Sequence, residues 1–239
     1  LQEAHVDDIL LNLIVIVLCA VGVGGILAFY YSRQARREAQ LVQEAQSRGW
    51  QYQRISEDRL SGYRFSGAAS GGIAWTLEAT RQSSGASTAA GSSDISSRTR
   101  WWSEAATLSD RMVLIGPRTV MGALPNMPGG LGGMIVQAAL RMMMGEDADQ
   151  FPGLSEAQGG TETFRERYVV FAHDPNEAHA LLASGVESAL IEWPAQQMVI
   201  KLGKSGIEIS IPQQITDVAK IERIVGLGSR LVLAWQSRA

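Results

Sequence analysis

The stretch QMVIKLGKSGIEISIP, residues 197–212, decides the fold class. Apolar and polar side chains alternate on both sides of GKSG, the period of a strand with one buried face, and the glycine-flanked centre is the signature of a tight turn. Such a hairpin is antiparallel, and the chain supplies further short strands for it to join. WQYQRI (50–55), GYRFSG (62–67) and IAWTLEATR (73–81) carry the same period, with Tyr63 and Phe65 on one side and then Ile73, Trp75 and Leu77. RTRWWSEAATL (98–108), RMVLIGP (111–117), TFRERYVVFA (163–172) and ALIEWP (189–194) read as additional strands, and DPNEAHALLAS (174–184) as a short helix. From residue 216 to 235, Val218, Ile221, Val225, Gly228, Val232 and Trp235 follow a three-four spacing, which makes an amphipathic helix to lie on the sheet. Gly226 and Gly228 loosen that helix and suit close approach to another backbone. The expected fold is therefore α+β, with a mainly antiparallel sheet and a C-terminal amphipathic helix.

Working outward, two segments interrupt the strand pattern. Residues 83–97, SSGASTAAGSSDISS, are rich in serine and nearly free of large apolar side chains, so they cannot bury enough surface to offset ordering. They read as a long mobile hairpin connection. Residues 118–160 form a Met- and Gly-rich insert containing GGLGGMIVQAALRMMMG (129–145), too short to cross a bilayer. On a helical wheel Leu131, Met134, Ile135, Ala138, Ala139 and Met142 share a broad face, while Gln137 and Arg141 stand on the other side. With Met143 beside them, these residues are candidates for a partner contact, because thioether side chains are flexible and polarisable. Covering the chain's own sheet and lying on the bilayer are the other readings of this helix.

The amino end is different in kind. Residues 9–31, ILLNLIVIVLCAVGVGGILAFYY, are 23 positions with one strongly polar side chain, Asn12, and no charge. At about 1.5 Å per residue a helix of this length matches a hydrocarbon core of roughly 30 Å. Glu3, Asp7 and Asp8 lie before it and Arg33, Arg36 and Arg37 after it, so the positive-inside rule places the short terminus 1–8 outside and the carboxyl side in the cytoplasm. Ala20, Gly24 and Ala28 recur at intervals of four, a small-xxx-small face for another helix, and Asn12 can add an interhelical hydrogen bond. Residues 32–48 read as a charged helical stem, and 49–239 as one cytosolic α+β domain.

Chemistry is sparse. Net charge is −3, and no run interleaves Lys and Arg with aromatics, so nucleic acid is not an expected partner. The single cysteine, Cys19, excludes an intrachain disulfide and a CxxC site. His173, Asp174, Glu177 and His179 form the one cluster of ligand-type residues, but Asp174, Pro175 and Glu177 fit the N-cap, N1 and N3 positions of a helix. No GxSxG or GxxxxGK[ST] motif is present. No cofactor, metal or catalytic residue is expected.

A membrane helix followed by RGWQY, GYRFSG, YVVFAHDPNEAHALLASGVESALIEW and GIEISIP, with a terminal helix, resembles an uncharacterised family of bacterial membrane-anchored proteins with a β-rich cytosolic domain of unknown function. The resemblance spans most of residues 48–233 and brings no catalytic residues with it. The single amino-terminal membrane helix and the methionine-rich insert depart from the family pattern. Together these readings give a non-enzymatic accessory or scaffold subunit at the inner membrane. Its helix would meet integral membrane partners or a second copy within the bilayer, and its domain a cytosolic protein surface. The alternative is a membrane-tethered enzyme or small-ligand sensor with its site around residues 173–179.

Overall fold

The structure is a computed structural model. It describes residues 38–69, 71–83, 95–108, 111–118, 153–193 and 198–236, with Gly22, Gly25, Phe29, Tyr31, Ser32, Arg33, Ala35 and Arg36 before them. The chain divides into two compact units, Leu1–Arg48 and Gly49–Ala239. In the first, residues 38–47 form helix α1, closed by Ser47 and Arg48 donating to the Glu44 carbonyl. Among the described residues no helix is long and apolar enough to cross a membrane. Most of the 9–31 run, including Asn12, Ala20, Gly24 and Ala28, lies outside them.

Among the described residues the second unit is built on one antiparallel sheet of nine strands. They are β1 (Gln51–Ser56), β2 (Leu60–Ala69), β3 (Ile73–Ser83), β4 (Ile95–Ser103), β5 (Val113–Pro117), β6 (Ser155–Glu156), β7 (Tyr168–Ala172), β8 (Val199–Gly203) and β9 (Gly206–Ile211). Their spatial order is β1-β2-β3-β4-β9-β8-β5-β7-β6. The alternation expected from the sequence is realised as an inner face. Phe65, Leu77, Trp101, Ile209, Ile200, Ile115 and Val170 stand in one row across it, all at most 3% exposed. The strands also run into the serine-rich segment. Ser83 pairs with Ile95 and Arg81 with Ser97, so both ends of the expected loop belong to strands, and 84–94 lie outside the described residues.

Helices α2 (Glu162–Arg167), α3 (Pro175–Leu181), α4 (Glu187–Ile191) and α5 (Val218–Gln236) complete the unit. Helix α5 is the C-terminal helix read from the spacing. Ile221, Ile224, Leu227, Leu231 and Val232 are each at most 1% exposed, a burial of roughly 1.5–3 kcal/mol per side chain. Asp217 caps it through the Ala219 amide. The approach of α5 is made to a ring and not to a backbone: a Cβ on Gly228 would lie 2.4 Å from the Trp101 indole, whereas Gly226 has nothing within 4 Å.

Two expected strands are corrected. TFRERYVVFA opens as helix α2 and becomes strand only at Tyr168. Thr161 caps α2 by accepting from the Phe164 amide, Glu187 accepts from the Thr161 amide, and the charges suit the helix ends, Glu162 first and Arg165 and Arg167 last. Phe164, fully buried and stacked on Tyr168 at 5.2 Å, anchors it. ALIEWP is helical as well: α3 runs through a π turn, Leu182–Val186, into α4, with Gly185 at φ 89° absorbing the kink. The Tyr168 hydroxyl donates to the Leu190 carbonyl at 3.1 Å and fixes α4 on the sheet.

Candidate functional site

The structure places the four ligand-type residues of the sequence at the junction of β7 and α3, where they do not converge. Asp174 is the N-cap of α3 and accepts from the Asn176 amide at 2.9 Å, with Pro175 following it at the start of the helix. His173 is held by strand-like exchange with Met112: its own amide donates to the Met112 carbonyl, and its Nδ1 accepts from the Met112 amide at 3.0 Å. His179 meets the Pro175 carbonyl through Nδ1 at 2.8 Å, one turn back along α3. Glu177 sends its carboxylate to Arg111 at 2.9 Å, where Arg111 also holds Asp174 at 3.1 Å. Each residue thus has a structural partner in a cap, a backbone or a cation, while the second Glu177 oxygen, Oε2, is buried without a hydrogen-bond partner among the described residues. Among the described residues no set of three His, Cys, Asp or Glu is placed to hold a metal ion.

A second constellation has no counterpart in the local sequence. The outer face of the sheet, opposite α5, carries two cross-strand rows. One runs Gln53, Arg64, Glu78, Arg100 and Ser210 across β1, β2, β3, β4 and β9. The next runs Ser66, Thr76, Trp102, Glu208 and Lys201 from β2 to β8. Arg64 donates through Nε to Glu78 at 2.6 Å, and Arg98 and Arg100 each bring an Nη2 to Glu208, at 3.0 and 2.7 Å. Lys201 Nζ stands 3.9 Å from the same carboxylate. The Arg100 guanidinium lies over the Trp102 ring at 5.0 Å.

Glu208 is only 8% exposed, while the side chains of Arg98 and Arg100 are 58% and 42% exposed. Burial by itself pushes the Glu208 carboxyl up. The hydrogen bond and charge of Arg100, the charge of Lys201 and the Ser210 hydroxyl together outweigh it and hold the group below its ordinary value. The carboxylate is therefore sunk beneath the guanidinium groups it organises. On the inner face burial acts unopposed by any cation at Tyr63, whose phenol is raised, with Tyr52 adding to the effect, and whose hydroxyl has no hydrogen-bond partner among the described residues.

At one end of these rows an open cleft of about 480 Å³ is lined by Gln51, Ser66, Thr76, Trp102 and Glu104 among others. It offers amide and hydroxyl hydrogen bonding beside an indole, a lining for binding. Trp75 and Trp101 lie in the core at 3% and 0% exposed; Trp102, one residue on, faces the other way and is half-buried. The alternation within RTRWW carried that signal, but its neighbours on β2, β8 and β9 follow only from register. The partner-contact candidates Leu131, Met134, Ile135, Ala138, Met142 and Met143 lie outside the described residues.

No family model and no curated protein matches the chain. Among solved structures it is similar to the crystal structure of the mycobacterial trehalose monomycolate transport factor A, TtfA, with a TM-score of 0.45 and 8% sequence identity, over 81% of this chain and 90% of that one.

Proposed function

We propose that this chain is a single-pass, membrane-anchored, non-enzymatic accessory or scaffold subunit of a larger bacterial inner-membrane complex, with its β-rich domain on the cytosolic side. The observation that carries the reading is the charge-free run of 23 residues, 9–31, bounded by acidic residues before it and arginines after it. Phe29 and Tyr31, 67% and 66% exposed, support it, since aromatic rings at the end of a spanning helix suit the membrane interface. The structural commitments of Asp174, Glu177, His173 and His179 favour it over an enzyme or sensor sited around residues 173–179. Asn12, Ala20, Gly24 and Ala28 are the contacts within the bilayer in this reading, and the Met-rich insert and the domain surface are those outside it.

Extraction of the tagged full chain in a mild detergent, followed by native pull-down, is expected to recover stoichiometric integral membrane partners or a homo-oligomer. A Gly24→Leu variant, which fills the small-residue face, is expected to lose them. A monodisperse wild-type monomer would overturn the proposal.

A further inference from the structure

The outer face of β2, β3, β4, β9 and β8 is not contacted by helix α5, which lies against the inner face beneath Trp101. That outer face carries four cations, Arg64, Arg98, Arg100 and Lys201, against two carboxylates, Glu78 and Glu208. The excess of two positive charges stands on a chain whose net charge is −3. Depth separates the signs further, because Glu208 is buried and the guanidinium groups of Arg98 and Arg100 are outermost.

Those two guanidinium groups are held but not saturated. Arg98 uses Nε and Nη2 on Ser210 and Glu208, and Arg100 uses Nη2 on Glu208 while its plane rests on Trp102. Neither Nη1 has a partner among the described residues. The two residues stand two apart on one strand, their Cα atoms about 7 Å apart, twice the strand rise, and both side chains converge on the Glu208 carboxylate. Guanidinium groups fixed in this way are pre-organised for bidentate contact with a carboxylate.

We infer that this face is a docking surface for an acidic segment of a partner protein, with Arg98 and Arg100 as its two anchoring forks. A lipid surface is the poorer fit. Attachment to anionic headgroups draws on unpaired Lys/Arg clusters and on an apolar group free to insert, whereas three of the four cations here are arginines paired with carboxylates, and the Trp102 ring is covered by Arg100. The inference rests on the accessory-subunit reading for the partner's being a protein, and it assigns that partner's chemistry.

The test uses the full chain in phosphatidylcholine nanodiscs and a fluorescein-labelled poly-L-glutamate peptide, read by anisotropy. Saturable binding that weakens with salt is expected. The double variant Arg98→Gln/Arg100→Gln is expected to weaken it at least 10-fold, and Arg98→Lys, which keeps the charge and loses the fork, by a few-fold. Arg230→Gln on α5 is the control that leaves it unchanged. Equal affinity in the double variant and the control overturns the inference. So does an absence of saturable peptide binding, including the case in which phosphatidylglycerol vesicles are captured through the same arginines. The two proposals fail separately: a chain that recovers its native membrane partners but binds no acidic peptide removes this face and leaves the accessory role, while peptide binding by a chain that is monomeric and partnerless does the reverse.

Discussion

Gly206 shows how much one residue carries that its neighbours in sequence do not reveal. GKSG marks a turn by composition alone, and Gly203 does pair with Gly206 across it. Among the described residues no non-glycine residue has positive φ, so Lys204 and Ser205 do not form a primed turn, and Gly206 takes the left-handed conformation at φ 104°. It has a second duty at the seam with β4, where a Cβ would sit 2.1 Å from the Ser103 carbonyl oxygen. Gly206→Ala therefore meets both backbone strain and a backbone clash, and is expected to cost more than about 2 kcal/mol. A fall in the midpoint of thermal unfolding of the detergent-solubilised chain checks this. The turn was legible in the sequence; the carbonyl facing it, about a hundred residues away, was not.

At the scale of the element, periodicity served where an element is long and failed where it is short. The three-four spacing of α5 extends over several turns, so the helix was legible with its apolar face. Helices α2 and α4, six and five residues long, are less than two turns each, and TFRER and ALIEW read as strands at that length, the first because it runs straight into the strand YVVFA. What makes them helical is non-local: Phe164 fills the core, Glu187 ties the α2 cap, and Leu190 receives the Tyr168 hydroxyl. The two glycines of α5 separate propensity from fit. Gly226→Ala adds a methyl in open space and is expected to stabilise the chain by about 0.5–1 kcal/mol through helix propensity. Gly228→Ala drives the methyl into the Trp101 ring and is expected to destabilise it by about 1–3 kcal/mol. Urea unfolding of the pair, followed by tryptophan fluorescence, distinguishes opposite signs for one chemical change two residues apart.

At the scale of the whole molecule, the sheet was legible as a class and its outer face was not. Period-two alternation tells which side chains share a face of one strand, but which strands lie side by side is decided by register. Glu208 meets Arg100 from more than a hundred positions away, a relation that no window of sequence contains. The arrangement has a pH signature. Because the folded carboxyl of Glu208 is held below its ordinary value of 4.5, its contribution to stability is complete above that pH and is lost as pH falls through the lowered value. Glu208→Gln is expected to cost about 2 kcal/mol at neutral pH, between the values for exposed and buried ion pairs. It is also expected to flatten the acid limb of the stability curve below 4.5 relative to the wild type. An unchanged acid limb would mean that other carboxyls carry the acid sensitivity.

The join of β4 to β9 also sets an order of events during synthesis. The four-stranded meander β1 to β4 emerges first, and its ladder bonds are local. The far side of β4, from Thr99 to Ser103, is completed only by residues 207–211, which are synthesised after β5 to β8. Until then the nascent chain presents an unpaired strand edge and, without α5, an uncovered inner row from Phe65 to Trp101. Every premature stop before residue 206 leaves that edge permanently open, so truncated products of this chain are the species for which quality control, rather than folding, decides the outcome.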